Sequence, residues 1–176
     1  NEAQISTMFG TIIDDFNEDG IQDILMHGNF YNTEIEITRH DAGTGLLLIG
    51  KGDGTFTPNR SYINGFKSDG DAKALATLLD SKTKQPVILA GNSQGKMLAF
   101  SLVKPTKTIE LAAADAYAIV TRTDGKTTRV ELYSGSGYLS QSAKSIRITP
   151  LVKQVDVYDY KGNMRTVYPG GNLASK

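Results

Sequence analysis

Oxygen-bearing side chains recur at alternate positions in one short stretch, "DFNEDGIQD", at residues 15–23. Gly20 stands at position 6 of the stretch, where a sharp turn needs the backbone freedom of glycine, and Ile21 offers its carbonyl at position 7. A loop that curls around a hard cation points every second side chain inward. The residues that would supply oxygens at positions 1, 3, 5, 7 and 9 are Asp15, Asn17, Asp19, Ile21 and Asp23.

Calcium is the cation that this spacing favours, since Ca²⁺ takes six to eight oxygen ligands whereas Mg²⁺ prefers a compact octahedron with bound waters. The loop is not an EF-hand, because position 12 is Met26 rather than a glutamate. The alternative is a polar turn between two strands, since Asp and Asn favour turns. Three carboxylates held together without a cation would repel one another, which favours a calcium site.

Most of the chain carries strand-like patterns. Asp124-Gly125 and Lys161-Gly162-Asn163 each separate two such runs, which predicts two β-hairpins. Residues 71–80 are ambiguous, because Ala, Leu and Lys favour a helix whereas an internal repeat favours a strand. Further apolar or alternating runs predict strands within residues 8–14, 23–28, 33–39, 45–56, 86–92 and 96–103.

The internal repeat relates residues 12–29 to residues 77–92. In each copy an apolar run ends at an aspartate, a polar loop follows, and a second apolar run ends in Gly-Asn. Strand-built repeats of this kind suggest β-propeller blades. The second loop has Lys82 and Lys84 where ligands would stand, so we expect it not to bind calcium.

These features resemble a known family. The loop and its flanking strands resemble the calcium loop of FG-GAP/VCBS repeats, the blades of integrin α-like β-propellers, and residues 28–56 resemble the last blades of exported VCBS-repeat proteins of Bacteroidetes. "GSGYLSQSAKSIRI" (135–148) is similar to the ASPIC/UnbV module that follows such propellers. The chain departs from that module at "TPLVK" (149–153) and "YDYKG" (158–162), where the family has Gly-Leu-Gly and Trp-Pro-Asp-Gly.

The resemblance implies an all-β fold, with β-propeller-type blades present as a fragment and followed by a β-rich C-terminal module. Residues 1–104 would form two FG-GAP/VCBS-like blades, the second degenerate, and residues 105–176 the ASPIC/UnbV-like module. An extracytoplasmic location follows: periplasm, cell surface or secreted. Because the chain opens at Asn1 without a methionine, we expect it to be part of a longer protein.

Composition restricts the partners. The chain has no cysteine, which excludes disulfides and thiolate chemistry, and no apolar run is long enough to span a membrane. Residues 1–60 carry ten acidic and three basic side chains, which suits cation binding. The basic residues of the remainder are scattered singly, so we expect no nucleic-acid partner.

A long connection at residues 29–45 mixes aromatic and charged side chains, which is typical of a binding loop or of a loop that covers a sheet edge. No nucleophile elbow, phosphate loop or zinc spacing occurs. We therefore expect a non-catalytic, calcium-stabilised binding or scaffold module; the alternatives are a carbohydrate- or protein-recognition module and a polysaccharide-processing enzyme. Ligand contacts on the loop would be Tyr31, Arg39, His40 and Asp41.

Overall fold

The computed structural model describes residues 2–170, and these residues form an all-β fold with several antiparallel sheets, as the sequence predicts. Residues 171–176 of the predicted C-terminal module, and Asn1, lie outside the described residues. The helical elements are a 3-10 turn at Glu2–Gln4 and α1 (Ser61–Asn64). The strands are β1 (Gly10–Asp14), β2 (Asp23–His27), β3 (Leu46–Gly50), β4 (Phe56–Arg60), β5 (Ala72–Leu79), β6 (Pro86–Asn92), β7 (Leu98–Ser101), β8 (Lys107–Glu110), β9 (Asp115–Arg122), β10 (Thr127–Glu131), β11 (Ser145–Ile148), β12 (Val152–Asp159) and β13 (Met164–Tyr168).

The chain folds into two compact units. The first contains the residues up to Lys104 together with Gly135–Ala143, and the second contains Pro105–Ser134 together with the residues from Lys144 onward. The chain therefore changes unit after Lys104 and returns briefly to the first unit in a segment that the sequence places in the C-terminal module. Neither described helix has the length and apolarity that crossing a membrane requires.

Two antiparallel sheets build the first unit. The first sheet has the strand order β1-β2-β3-β4 and the second has the order β5-β6-β7. Strand β1 packs beside β5, and the approach is so close that a Cβ atom on Gly10 would lie 2.5 Å from the Cβ of Leu75. Side chains from both sheets form one apolar core: Leu25, Leu47, Phe66, Leu75, Ile88 and Ala90.

The ambiguous segment 71–80 is a strand, so the helical alternative is wrong. Strand β5 pairs with β6 along most of its length, with Leu75 opposite Ala90 and Leu78 opposite Val87. Leu75 is almost fully buried. Backbone pairing and burial therefore outweigh the helix propensity of Ala, Leu and Lys.

The strand predicted at 33–39 is wrong. This segment is a loop with a turn at residues 35–37, and Ile35 is fully exposed. The loop is closed by an isolated bridge in which Phe30 and His40 exchange two backbone hydrogen bonds of 2.8 and 3.0 Å. Alternation of apolar and polar residues requires an adjacent strand and a core to make a sheet, and neither adjoins this segment.

The free edge of β5 is covered by segment 135–143. The Ala143 N–H donates to the Thr77 carbonyl over 2.7 Å, and Ser140 Oγ donates to the Leu75 carbonyl over 3.1 Å. The "GSGYLSQS" motif forms a turn and leads into strand β11, as the sequence predicts. An exposed strand edge is a site for unwanted pairing, and this segment satisfies the edge of β5 within the chain.

The second unit contains a four-stranded sheet with the order β10-β9-β12-β13 and a two-stranded sheet of β8 and β11. The two predicted hairpins are confirmed: β9–β10 turns at Gly125 and β12–β13 turns at Gly162, with φ angles of 84° and 85°. The unit has its own core, formed by Leu111, Ala118, Val120, Leu132, Ile146, Ile148, Val155 and Val157.

Candidate functional site

The loop between β1 and β2 folds around the side chain of Asp15. One carboxylate oxygen of Asp15 accepts a hydrogen bond from the Asp19 N–H over 3.1 Å, and the other accepts from the Gly20 N–H over 2.8 Å. Gly20 has a φ of 82° and Glu18 a φ of 64°, so two left-handed residues let the loop curl back on its first residue. The curled path is the one that the spacing of oxygen side chains predicts.

Asn17 and Asp19 extend this arrangement. Asn17 Oδ1 accepts from the Asp19 N–H over 3.1 Å, and Asn17 Nδ2 donates to Asp19 Oδ2 over 2.9 Å. Asp19 Oδ1 accepts from the Ile21 N–H over 2.7 Å. The structure therefore brings the side chains of Asp15, Asn17 and Asp19 into one hydrogen-bonded cluster at the surface.

Asp23, the fifth predicted ligand, also has a structural role. Its side chain is fully buried, Oδ2 accepts from the Phe16 N–H over 2.9 Å, and Oδ1 accepts from the Gly50 N–H over 2.9 Å. Asp23 thereby ties both the start of its own loop and the end of β3 to β2. Buried carboxylates need such donors, because an uncompensated buried charge is costly.

The donor chemistry of the loop fits calcium. Carboxylate and amide oxygens with a backbone carbonyl are the ligands that Ca²⁺ prefers, and an oxygen that accepts one N–H has further acceptor capacity. No group of three or more Asp, Glu, His or Cys side chains that could hold a metal ion occurs among residues 2–170. The proposed ligands also include donors of two other kinds, the Asn17 amide and the Ile21 carbonyl, which such a group does not count. The ligand assignment therefore stays a prediction.

The corresponding loop of the second sheet closes by local hydrogen bonds. Asp80 Oδ1 accepts from the Lys82 N–H, the Thr83 N–H and Thr83 Oγ1, at 3.1, 2.7 and 2.8 Å. The Thr83 backbone and hydroxyl bonds hold the pKa of the Asp80 carboxyl below its usual range. The Lys84 N–H donates to the Asp80 carbonyl over 2.9 Å and completes the turn.

An open cleft of about 520 Å³ lies elsewhere in the first unit. Three segments line it: the long loop after β2, the turn before β5 and the β6–β7 turn. The lining residues are Tyr31, Asn32 and Arg39 from the first segment, Asp69, Gly70 and Asp71 from the second, and Asn92, Ser93, Gln94, Gly95, Lys96 and Leu98 from the third. Most of the lining residues are polar and supply amide, carboxylate and cationic groups, although apolar atoms form about as much of the cleft surface as polar atoms do.

Two of the four residues predicted to contact a ligand line this cleft. The Arg39 guanidinium lies over the Tyr31 ring, 5.3 Å from its centroid. His40 and Asp41 are not among the lining residues; His40 Nδ1 is hydrogen-bonded to Thr7 Oγ1 over 3.1 Å. The structure brings Tyr31 and Arg39 together and leaves His40 and Asp41 outside the lining of the cleft.

Sequence reasoning missed most of the cleft. The local sequence patterns mark neither residues 69–71 nor residues 92–96 as contact residues. One signal was available, because the second repeat ends in Gly91-Asn92 just as the first ends in Gly28-Asn29. In the first repeat Asn29 Nδ2 donates to the Gly43 and Gly70 carbonyls, each over 2.8 Å, which shows that this position organises the loops at that end of the sheets.

The remaining histidine is structural. His27 is fully buried, and its Nδ1 is hydrogen-bonded to the Ser68 hydroxyl over 2.9 Å. Burial lowers the pKa of His27 to about 4, a change that the Ala74 carbonyl partly opposes. A serine beside a histidine can form a nucleophile and its base, but Ser68 is also fully buried, so no substrate reaches this pair in the folded state.

Comparison with known proteins identifies no family for this chain. No protein-family model matches this chain, and no curated protein is significantly similar to it in sequence. The functional conclusions therefore rest on the loop, the cleft and the arrangement of the sheets.

Proposed function

We propose that the first unit is a calcium-stabilised, non-catalytic binding or scaffold module built from FG-GAP/VCBS-type propeller blades. The observation that carries this proposal is the loop curled around Asp15, which gathers three oxygen-bearing side chains at the spacing of a calcium loop. The ligands would be Asp15, Asn17, Asp19, the Ile21 carbonyl and Asp23.

The arrangement of the sheets supports blades of this kind. Four consecutive antiparallel strands form the first sheet, and β5, the first strand of the second sheet, lies beside β1, the first strand of the first. The Asn29 N–H donates to the Ala72 carbonyl over 3.3 Å and links the two sheets at one end. Sheets that repeat around their first strands are the building principle of a propeller. We propose the ASPIC/UnbV identity of the second unit on sequence resemblance alone.

Calcium would act on stability rather than on chemistry. The ion would neutralise the carboxylates of the loop, and binding to the folded state alone raises stability by mass action. The chain's own residues do the rest: Asp15 sets the curl of the loop, and Asp23 fixes its end against β3. The burial of both His27 and Ser68 supports the absence of catalysis at that pair.

The first test compares calcium responses of matched aspartate variants. Asp19→Ala removes one proposed ligand, whereas Asp80→Ala alters the equivalent lysine-containing loop of the second sheet. Thermal melts with excess calcium and with a chelator should show the calcium-induced rise in Tm in the parent chain and in Asp80→Ala, and no rise in Asp19→Ala. A full calcium response in Asp19→Ala would reject the ligand assignment.

The cleft supports recognition as a second candidate function. It lies beside the long loop of residues 29–45 and is lined by that loop's Tyr31 and Arg39. Small-ligand sites are concave and hold a few well-placed polar groups. The partner would be a glycan or a protein, met outside the cytoplasm as the resemblance to exported proteins implies. Titration with candidate ligands, described below, tests this role separately from calcium.

A further inference from the structure

The carboxylates of the cleft already have cationic partners that stand outside its lining. Asp71 Oδ1 lies 2.7 Å from Lys73 Nζ, and both side chains are largely buried. Asp69 Oδ2 lies 3.0 Å from Lys67 Nζ, and the hydrogen bond from Lys67 lowers the pKa of the Asp69 carboxyl. Each carboxylate therefore has a lysine partner within salt-bridge distance, so neither gives the cleft an excess of negative charge.

The cations of the cleft lack such compensation. Within residues 2–170, no carboxylate lies at salt-bridge distance from Arg39 or Lys96. The Arg39 guanidinium instead lies over the Tyr31 ring. Tyr31 is itself fixed, because its N–H donates to Asp71 Oδ1 over 3.2 Å and its hydroxyl donates to the Asp69 carbonyl over 3.3 Å. The cleft thus presents a positioned guanidinium and a second cation to a ligand.

The lining of the cleft is also rich in amides. Asn32, Asn92 and Gln94 can each donate and accept hydrogen bonds, and Asn92 Oδ1 is buried without a hydrogen-bond partner in the described part of the chain. Adjacent donors and acceptors match the paired hydroxyls of a sugar. A peptide partner is usually held by apolar and aromatic anchors in pockets, and Leu98 and Tyr31 are the only aliphatic and aromatic residues among those that line this cleft.

We propose that this cleft binds an acidic saccharide, a short sugar chain that carries carboxylates. The proposal deepens the recognition role given above and rests on it. Arg39 and Lys96 bind the sugar carboxylate, Arg39 through the paired N–H groups that suit carboxylates, and the amides bind the hydroxyls. The volume of about 520 Å³ lies within the range of roughly 300–1,000 Å³ that is usual for small-ligand sites.

The test uses two disaccharides that differ only in charge. Digalacturonate carries two carboxylates, and α-1,4-galactobiose has hydroxymethyl groups in their place. Calorimetric titration of the whole chain in calcium at low salt should show binding of digalacturonate and binding of galactobiose at least about tenfold weaker, because charge-assisted hydrogen bonds are the stronger class. Raising the salt concentration should weaken only the digalacturonate affinity.

Matched variants assign the binding to the cleft. Arg39→Gln and Lys96→Gln remove exposed cations of the cleft and should each weaken digalacturonate binding about tenfold. Lys51→Gln removes an exposed cation of the β3–β4 turn, outside the lining, and should leave the affinity unchanged. Unfolding curves of the three variants should superimpose on that of the parent chain.

Each of the other outcomes overturns one part of this proposal. Equal affinity for the two disaccharides removes the acidic class and leaves recognition of a sugar standing. Binding of a hexaglutamate peptide in place of both sugars overturns the saccharide, and full binding by Arg39→Gln overturns the cleft as the site. Failure of every probe removes the recognition role as well, whereas the calcium melts would still decide the calcium proposal on their own.

Discussion

The two repeated loops of the first unit share a strand–loop–strand arrangement but differ in the side chains that they carry. Both connect antiparallel strands and begin at an aspartate that accepts hydrogen bonds from its own loop. The first gathers the oxygen-bearing side chains of Asp15, Asn17 and Asp19, whereas the second has lysines and is closed by the Lys84 N–H bond to the Asp80 carbonyl. Both loops are held by local hydrogen bonds, and only the first also presents the set of oxygens for which we propose calcium.

The largest effect is expected at Asp23, the residue that distinguishes the first loop most clearly. Asp23→Ala would remove the carboxylate that accepts from the half-buried Phe16 N–H and from the buried Gly50 N–H. Unsatisfied buried donors cost about 1–3 kcal/mol each, so we expect a loss of about 3 kcal/mol or more in the free energy of unfolding. Urea titration in the presence of a chelator measures it, and a loss no larger than that of Asp80→Ala would contradict the anchoring role.

A pH effect should separate the two repeats. His27 ends β2, and its counterpart at the end of the second repeat is Ala90. The folded-state pKa of His27, about 4, lies below the ordinary value of 6.5. Between pH 4 and pH 6.5, His27 is therefore protonated in the unfolded chain and neutral in the folded chain. The His27 contribution to stability is thus complete above pH 6.5 and falls as the pH drops toward 4, by about 3 kcal/mol in all.

The His27→Ala variant, which copies the second repeat, is the control for that slope. It should be less stable than the parent chain at pH 7, because a buried side chain is lost, but its unfolding free energy should fall less steeply between pH 6.5 and 4. Parallel pH profiles for the two chains, from urea unfolding at several pH values, would show that His27 is not the group responsible.

The smallest effect concerns the edge of the second sheet. Segment 135–143 covers β5, and the Thr77 N–H donates to Ser142 Oγ over 3.0 Å. Ser142→Ala removes that acceptor and should lower the free energy of unfolding by about 1 kcal/mol. The effect should be the same with calcium and with a chelator, since Ser142 accepts from a backbone N–H of β5 and not from the first loop; a calcium-dependent effect would argue against this separation.

The strands of this fold follow from local sequence patterns to a large extent. Gly125 and Gly162 mark the two hairpins because each adopts a positive φ that other residues reach at a cost. Segment 33–39 has an equally clear alternation and forms no strand, since nothing adjoins it to pair with or to bury its isoleucines. The periodicity of a segment indicates which of its side chains could be buried. The strand that pairs with the segment and the core that buries it come from distant parts of the chain.

The same limit explains what could be predicted of the sites. The proposed calcium loop is contiguous, so the spacing of Asp15, Asn17 and Asp19 is enough to predict it. The cleft joins Arg39 to Asp71 and Lys96 across three separate connections, and no local pattern marks it. The docking of segment 135–143 on β5 is equally hidden, because it joins the hydroxyls of Ser140 and Ser142 to backbone groups that lie 65 positions away.

The most direct test of the central claim is a thermal melt of the whole chain with excess calcium, with excess magnesium and with a chelator. We expect a clear rise in Tm with calcium over the chelator and little or no rise with magnesium, because the proposed ligands form an oxygen set suited to the larger cation. An identical Tm in all three conditions would contradict it and leave "DFNEDGIQD" as a turn held by its own hydrogen bonds.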